Sequence, residues 1–262
     1  AALLVAFLIT CGWMARPVLG RADVPLAPLL ALFPATLIIQ FAPGRIDHHS
    51  WQLILAALAV GALMRVALRP ESLAPPVAAA LACAAGMWIG GDIIPWIALF
   101  SAVLAGFWIA YGERWLAPAR TFGVVLFGVS LLLLPAALPP ARWFEISCDS
   151  YSIVNIGLAG TVALFWLALG VKALPARTPL ARAGAAAICG LAGLGLLVAL
   201  FPECRNGPYG NLDARLHAVW LSGIAEARSL TTLFAKRQEL LPVFISLPLI
   251  ALAVSIARAV KR

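Results

Sequence analysis

Long apolar runs, separated by short stretches of Pro, Gly or charge, dominate this chain of 262 residues. A run of roughly 17–25 apolar residues, wound as an α-helix, matches the hydrocarbon thickness of a bilayer. Nine runs approach or reach that length, at about residues 1–14, 25–42, 50–68, 74–90, 93–111, 121–139, 152–171, 183–201 and 241–258. None alternates with period two, and lipid tolerates only helices or closed barrels across its core. The expected fold is therefore all-α: a polytopic integral membrane protein of about nine transmembrane helices. It forms one transmembrane domain over 1–262, with a single long external loop at 202–240.

Composition agrees. The chain is 63% hydrophobic and 11% charged, against about 45–50% and about 25% for a soluble domain. The first run has no basic start and no small-residue cleavage site, so it does not read as a signal peptide. The chain opens without Met inside an apolar run, which leads us to expect a piece of a longer protein.

Charge gives the orientation. One set of short loops carries Arg16, Arg65, Arg69, Arg114, Arg120 and Arg182, among others; the opposite short loops carry only Arg45 and Arg142. Lys and Arg mark the cytoplasmic side, so the stretch FAPGRIDHHSWQ, residues 41–52, is expected to face outward. The net charge of +8 then reflects topology and contact with the lipid bilayer, and no nucleic-acid partner is expected.

The outward face gathers the chemistry. Asp47, His48 and His49 stand side by side where the third run begins. Asp47 suits a cap for the free N–H groups of that helix. Asp and His also ligate divalent ions. Positions i and i+2 share a face only in an extended chain, so Asp47 and His49 converge if Pro43 and Gly44 keep this stretch non-helical, and His48 then points elsewhere. Asp92, in Trp88-Ile89-Gly90-Gly91-Asp92, lies between two apolar runs; an acid there is either a functional group or a helix cap.

The pattern G-x-x-D-H-H at the outer start of a span resembles the second acidic motif of the oligosaccharyltransferase catalytic-subunit family, membrane glycosyltransferases of the GT-C type. The segment Ile224-Ala225-Glu226 in the long loop is loosely similar to that family's short glutamate motif. The resemblance implies a metal held by Asp47 and His49, with Mn²⁺ or Mg²⁺ as the cofactor, and Asp47 and Glu226 as catalytic residues, Glu226 also contacting the acceptor. His48, Asp92 and Arg228 are further candidates for the site. The implied reaction moves a sugar or oligosaccharide from a polyprenyl-linked donor to a protein or glycan acceptor, at the periplasmic face of a bacterial inner membrane. The family's first external loop with its own acid, and its soluble domain with a W-W-D-Y-G signature, have no counterpart in these residues.

Of five cysteines, Cys11, Cys83 and Cys189 fall within apolar runs, whereas Cys148 and Cys204 fall in external loops, where an oxidising compartment permits a disulfide. His217 lies near Trp220 on an interfacial amphipathic stretch and reads as structural. Two other classes remain open. A transporter or flippase places acids near the bilayer midplane in discontinuous helices. A non-catalytic membrane subunit needs no site at all.

Overall fold

The computed structural model of the chain describes residues 2–45, 47–171, 178–209 and 213–221. These fall in two units, Ala1–Gly210 and Asn211–Arg262. The described part of the second unit contains one short helix, Ala214–Val219, whose first turn is capped by the Asp213 carboxylate accepting from Arg215 N–H at 2.9 Å.

The described residues form helices and no strand. In the first unit these are α1 (Ala2–Ala15), α2 (Leu26–Ala31), α3 (Ala35–Ile38), α4 (His49–Leu68), α5 (Ala74–Ile89), α6 (Ile94–Tyr111), α7 (Leu116–Ala137), α8 (Ile153–Leu169) and α9 (Pro179–Leu200). Four helical stretches are long and apolar enough to cross a membrane: His49–Leu68, Gly91–Tyr111, Glu113–Ala137 and Pro179–Leu200. Ala2–Ala15, Ala74–Ile89 and Ile153–Leu169 are apolar but shorter. These lengths and compositions indicate a membrane protein.

The run at 25–42, expected as one span, is broken into α2, α3 and a 3₁₀ turn at Ile39–Phe41. Pro34 sits at the break. Its nitrogen has no hydrogen to donate, and its ring disfavours helical backbone at Phe33 before it. The run at 241–258 lies outside the described residues, as does most of the loop at 202–240.

In lipid, helices associate by close packing rather than by escape from water, and small residues allow that approach. The core follows this rule. Ala59 and Ala62 of α4 and Ala79, Ala80, Cys83 and Ala84 of α5 are buried, and α4 packs on α5, α5 on α7, and α7 on α8. At the α7–α8 crossing Gly123 faces the Ala163 backbone so closely that an added Cβ would sit 3.0 Å from its Cα. Larger side chains fill what remains: Trp108, Trp115 and Trp166 are fully buried. Phe100 stacks on Phe122 with centroids 4.3 Å apart, and Phe107 on Trp115 at 4.2 Å.

Helix ends are closed by specific donors and acceptors. Ser152 and Asn155 form a reciprocal capping box at the start of α8. Thr178 accepts from Ala181 N–H at the start of α9. Arg182, one turn in, donates to the Trp108 carbonyl of α6 at 3.1 Å. In contrast to its neighbours, α9 buries none of its residues fully.

The α1 and α4 helices run in the same direction. Ala2, Leu3 and Leu4, at the start of α1, line one pocket with Ser50 in the first turn of α4, and the Arg65 guanidinium, near the end of α4, lies over the ring of Trp13, near the end of α1. The first unit thus has an end bearing Asp47, His48 and His49 and an opposite end bearing Arg16, Arg65 and Arg69. The α7–α8 loop is joined to the 3₁₀ segment Pro202–Asn206, just after α9, by a Cys148–Cys204 disulfide with Cα atoms 5.4 Å apart.

Candidate metal centre

Three polar side chains meet where α4 begins and where α5 hands over to α6. His48 precedes α4 with helical backbone, φ −86° and ψ −9°, and His49 is its first residue. The helix therefore starts too early for Asp47 and His49 to lie on one extended face. Their relation is a different one: the Asp47 carboxylate accepts from the His49 backbone N–H at 3.2 Å. It also pairs with the Arg45 guanidinium. Asp47 thus caps the chain entering α4, as a carboxylate at a helix N-terminus does. Slight desolvation opposes its ionisation. The Arg45 hydrogen bond and charge and the His49 N–H outweigh that, and hold its pKa below the ordinary carboxylate value.

His48 turns inward to the site. Its Nε2 lies 3.2 Å from Asp92 Oδ2, and His49 Nδ1 lies 3.4 Å from the same oxygen. The two imidazoles meet edge to face, with centroids 4.4 Å apart. Asp92 is carried on the 3₁₀ turn Gly91–Ile93 that opens α6. The ligating atoms of His48, His49 and Asp92 all fall within 4.8 Å of one another. Side-chain exposures of 44%, 20% and 55% leave the group open to solvent and to a ligand.

A zinc-like ion bound tetrahedrally at about 2.0–2.1 Å has ligand atoms about 3.3 Å apart. The two distances to Asp92 Oδ2 match that edge. Two imidazole nitrogens and one carboxylate oxygen would also leave coordination positions for a substrate oxygen, as catalytic rather than structural sites do. The residues present therefore fit a divalent ion. Without one, the same groups make a His–Asp hydrogen-bond cluster.

The site rests on a polar brace that the sequence reading did not single out. Gln52, one turn into α4 and 6% exposed, donates through Nε2 to the Gly86 carbonyl at 2.8 Å and the Gly90 carbonyl at 3.0 Å. The Gly86 carbonyl also accepts from Gly90 N–H at 2.9 Å, the closing bond of α5, and Gly90 lies just past the helix end. The brace ties the His-bearing start of α4 to the Gly90-Gly91-Asp92 turn. Gly90 eases this approach: an added Cβ would lie 3.0 Å from His48 Cδ2 and 3.3 Å from Gln52 Nε2, and both side chains would have to shift slightly. The available signal was spacing, since Gln52 stands three and four residues after His49 and His48, on their face of the helix.

A pocket of about 270 Å³ opens beside the site, lined by Gln40, Phe41, Gly44, Arg45 and Ser50 together with the start of α1. Glu226 and Arg228 lie outside the described residues, as does the His217 side chain. The chain matches no protein-family model, no curated protein and no solved structure.

Proposed function

We propose that this chain carries the metal site of a membrane glycosyltransferase. In this reading it is a multi-pass protein of a bacterial inner membrane, with about nine spans, that works at the periplasmic face. It moves a sugar or oligosaccharide from a polyprenyl (pyro)phosphate to an acceptor. One observation carries the proposal: His48 and His49 converge on Asp92 at the end of the helical unit opposite its arginine cluster.

A divalent cation held by His48, His49 and Asp92 would steady the negative charge that develops on the departing phosphate. Two imidazoles favour a transition ion such as Mn²⁺ or Zn²⁺ over Mg²⁺, which prefers oxygen ligands. In this scheme Asp47 acts beside the ion, fixing the start of α4 and keeping Arg45 at the rim of the adjacent pocket. Glu226 positions the acceptor, and Arg228 is available to its phosphate or carboxylate groups.

Transfer of labelled sugar from polyprenyl-phosphate donors, assayed in membranes containing the chain, tests this. Activity is expected to stop with a chelator, to return with Mn²⁺, and to be lost in Asp92→Asn and His48→Ala. Transfer that survives chelation, or that both variants retain, overturns the reading.

A further inference from the structure

At the end of the first unit opposite the His–Asp group, a pocket of about 410 Å³ is lined by Arg16, Arg65, Arg69 and Ser72. Arg65 lies in the last turn of α4, and Arg69, four residues on, immediately follows the helix and donates its backbone N–H to the Arg65 carbonyl. Arg16 immediately follows α1. The first of these side chains is pre-set. Arg65 donates to the Gly61 and Trp13 carbonyls, both at 2.7 Å. Its guanidinium carbon lies 3.5 Å from the centre of the Trp13 ring. Gly61 makes room for that ring, since any Cβ there would strike it.

Three guanidinium groups thus share one concavity. Among the described residues no acid lies within ion-pairing distance of Arg16, Arg65 or Arg69, although Asp23 and Glu71 are near in sequence. Like charges held together this way favour an anion between them. Guanidinium forks match the tetrahedral oxygens of phosphate by paired hydrogen bonds, and the Ser72 hydroxyl adds a neutral donor.

The pocket also has an apolar wall, to which Pro17 and Leu68 contribute. Beside it, Val18 is 62%, Leu68 59% and Leu73 48% exposed. A free phosphate has no use for such a surface; a phosphate at the head of acyl chains does. The depth agrees, because α4 has 20 residues and so puts its last turn about 30 Å from its first. That separation matches the thickness of a bilayer's hydrocarbon core.

We propose that Arg16, Arg65, Arg69 and Ser72 form a binding site for the phosphate of an anionic phospholipid, at the membrane face opposite the His–Asp group. This site is independent of any reaction at that group. It needs only that the chain lies in a bilayer.

The probe is phosphatidylglycerol, with phosphatidylcholine of the same acyl chains as the neutral control and inorganic phosphate as the chain-free control. Native mass spectrometry of the full chain in detergent reads the lipid retained. The wild-type chain is expected to hold phosphatidylglycerol at least about tenfold more strongly than phosphatidylcholine, as multiple arginines at an interface should. Arg16→Gln/Arg69→Gln abolishes that preference, each single variant reduces it, and Arg142→Gln at the opposite end keeps it. Arg65 is left intact because it braces Trp13, and far-UV dichroism confirms unchanged helicity. Equal preference in the double variant, or none in the wild type, overturns the proposal. Displacement of phosphatidylglycerol by an equal concentration of inorganic phosphate overturns the lipid assignment and leaves a free-phosphate site.

Discussion

Asp92 Oδ2 lies 3.2 Å from His48 Nε2 across 44 residues of chain, and the same oxygen lies 3.4 Å from His49 Nδ1. One carboxylate oxygen therefore organises both imidazoles, and it comes from a different helix than they do. The functional reading depends on this meeting rather than on the D-H-H triplet alone.

Asp92→Asn should weaken Mn²⁺ binding by at least about 10–100-fold, since loss of even an outer partner of a metal ligand costs that much. His49→Ala should do the same. Asp47→Asn should leave affinity within a few-fold, because Asp47 is engaged with Arg45 and the His49 backbone. Titration of the purified chain, followed by Mn²⁺ electron paramagnetic resonance, separates these outcomes. A larger loss in Asp47→Asn than in Asp92→Asn would restore Asp47 and His49 as the ligand pair.

The Asp47 cap should make stability depend on acid pH. Its pKa is depressed in the folded chain, so its contribution is fully present above the ordinary carboxylate value of about 4. It is lost as pH falls through the lower folded value. Thermal melts between pH 6 and pH 3 should show a destabilisation on acidification that is smaller in Asp47→Asn. Identical acid limbs for the two proteins would refute the cap's role.

Tyr151 should behave in the opposite sense at high pH. Burial pushes its phenol up to about 12. Its hydroxyl donates to the Ser130 carbonyl at 2.5 Å, a bond that only the protonated phenol can make. A raised pKa contributes stability that is whole below the unfolded value of about 10 and disappears as pH climbs through the folded one. Tyr151→Phe removes this alkaline dependence and costs about 1 kcal/mol near neutrality. Phenolate absorbance and melting temperature, recorded from pH 9 to 12, check both statements.

Gln52→Leu leaves the Gly90 carbonyl without its side-chain donor, while the Gly86 carbonyl keeps the Gly90 N–H. The expected loss is about 1–3 kcal/mol, the cost of stranding a polar group. Because the same brace holds the Gly90-Gly91-Asp92 turn against His48, Mn²⁺ affinity should fall with it. Gln52→Glu cannot donate to two carbonyls and should not rescue. Unchanged melting and metal binding in Gln52→Leu would show the brace to be idle.

The Cys148–Cys204 bridge closes a loop of sequence separation 56. In the chain-entropy picture, a loop of that length is worth about 4 kcal/mol. Cys148→Ser/Cys204→Ser should lower the melting temperature under oxidising conditions, and a reductant should have little further effect on the variant. A variant as stable as the oxidised wild type would mean that the loop is held by its other contacts.

Much of the fold is legible in the residues. The runs at 50–68, 74–90, 93–111, 121–139, 152–171 and 183–201 each became a helix with ends within a few residues, because in such apolar segments the backbone can satisfy its hydrogen bonds only internally. The run at 25–42 did not, since hydropathy averages over Pro34 while the helix cannot. The site was legible as a list of residue types, with Asp47, His48, His49 and Asp92 all marked, but its pairing was not. The expectation for His48 assumed extended backbone; the helix begins one residue after it and turns its ring onto Asp92.

By itself, then, the sequence determined the helical, membrane-suited character of the chain and the segregation of arginine from histidine. Both follow from local composition acting through backbone hydrogen bonding and charge. Only the tertiary structure decided which acid meets the histidines and which arginines share a pocket. The cross-helix contacts span long stretches of chain, 44 residues between His48 and Asp92, and they depend on helix direction, on Gly61 and Gly90 permitting close approach, and on the Gln52 brace. None of these is a property of any one segment.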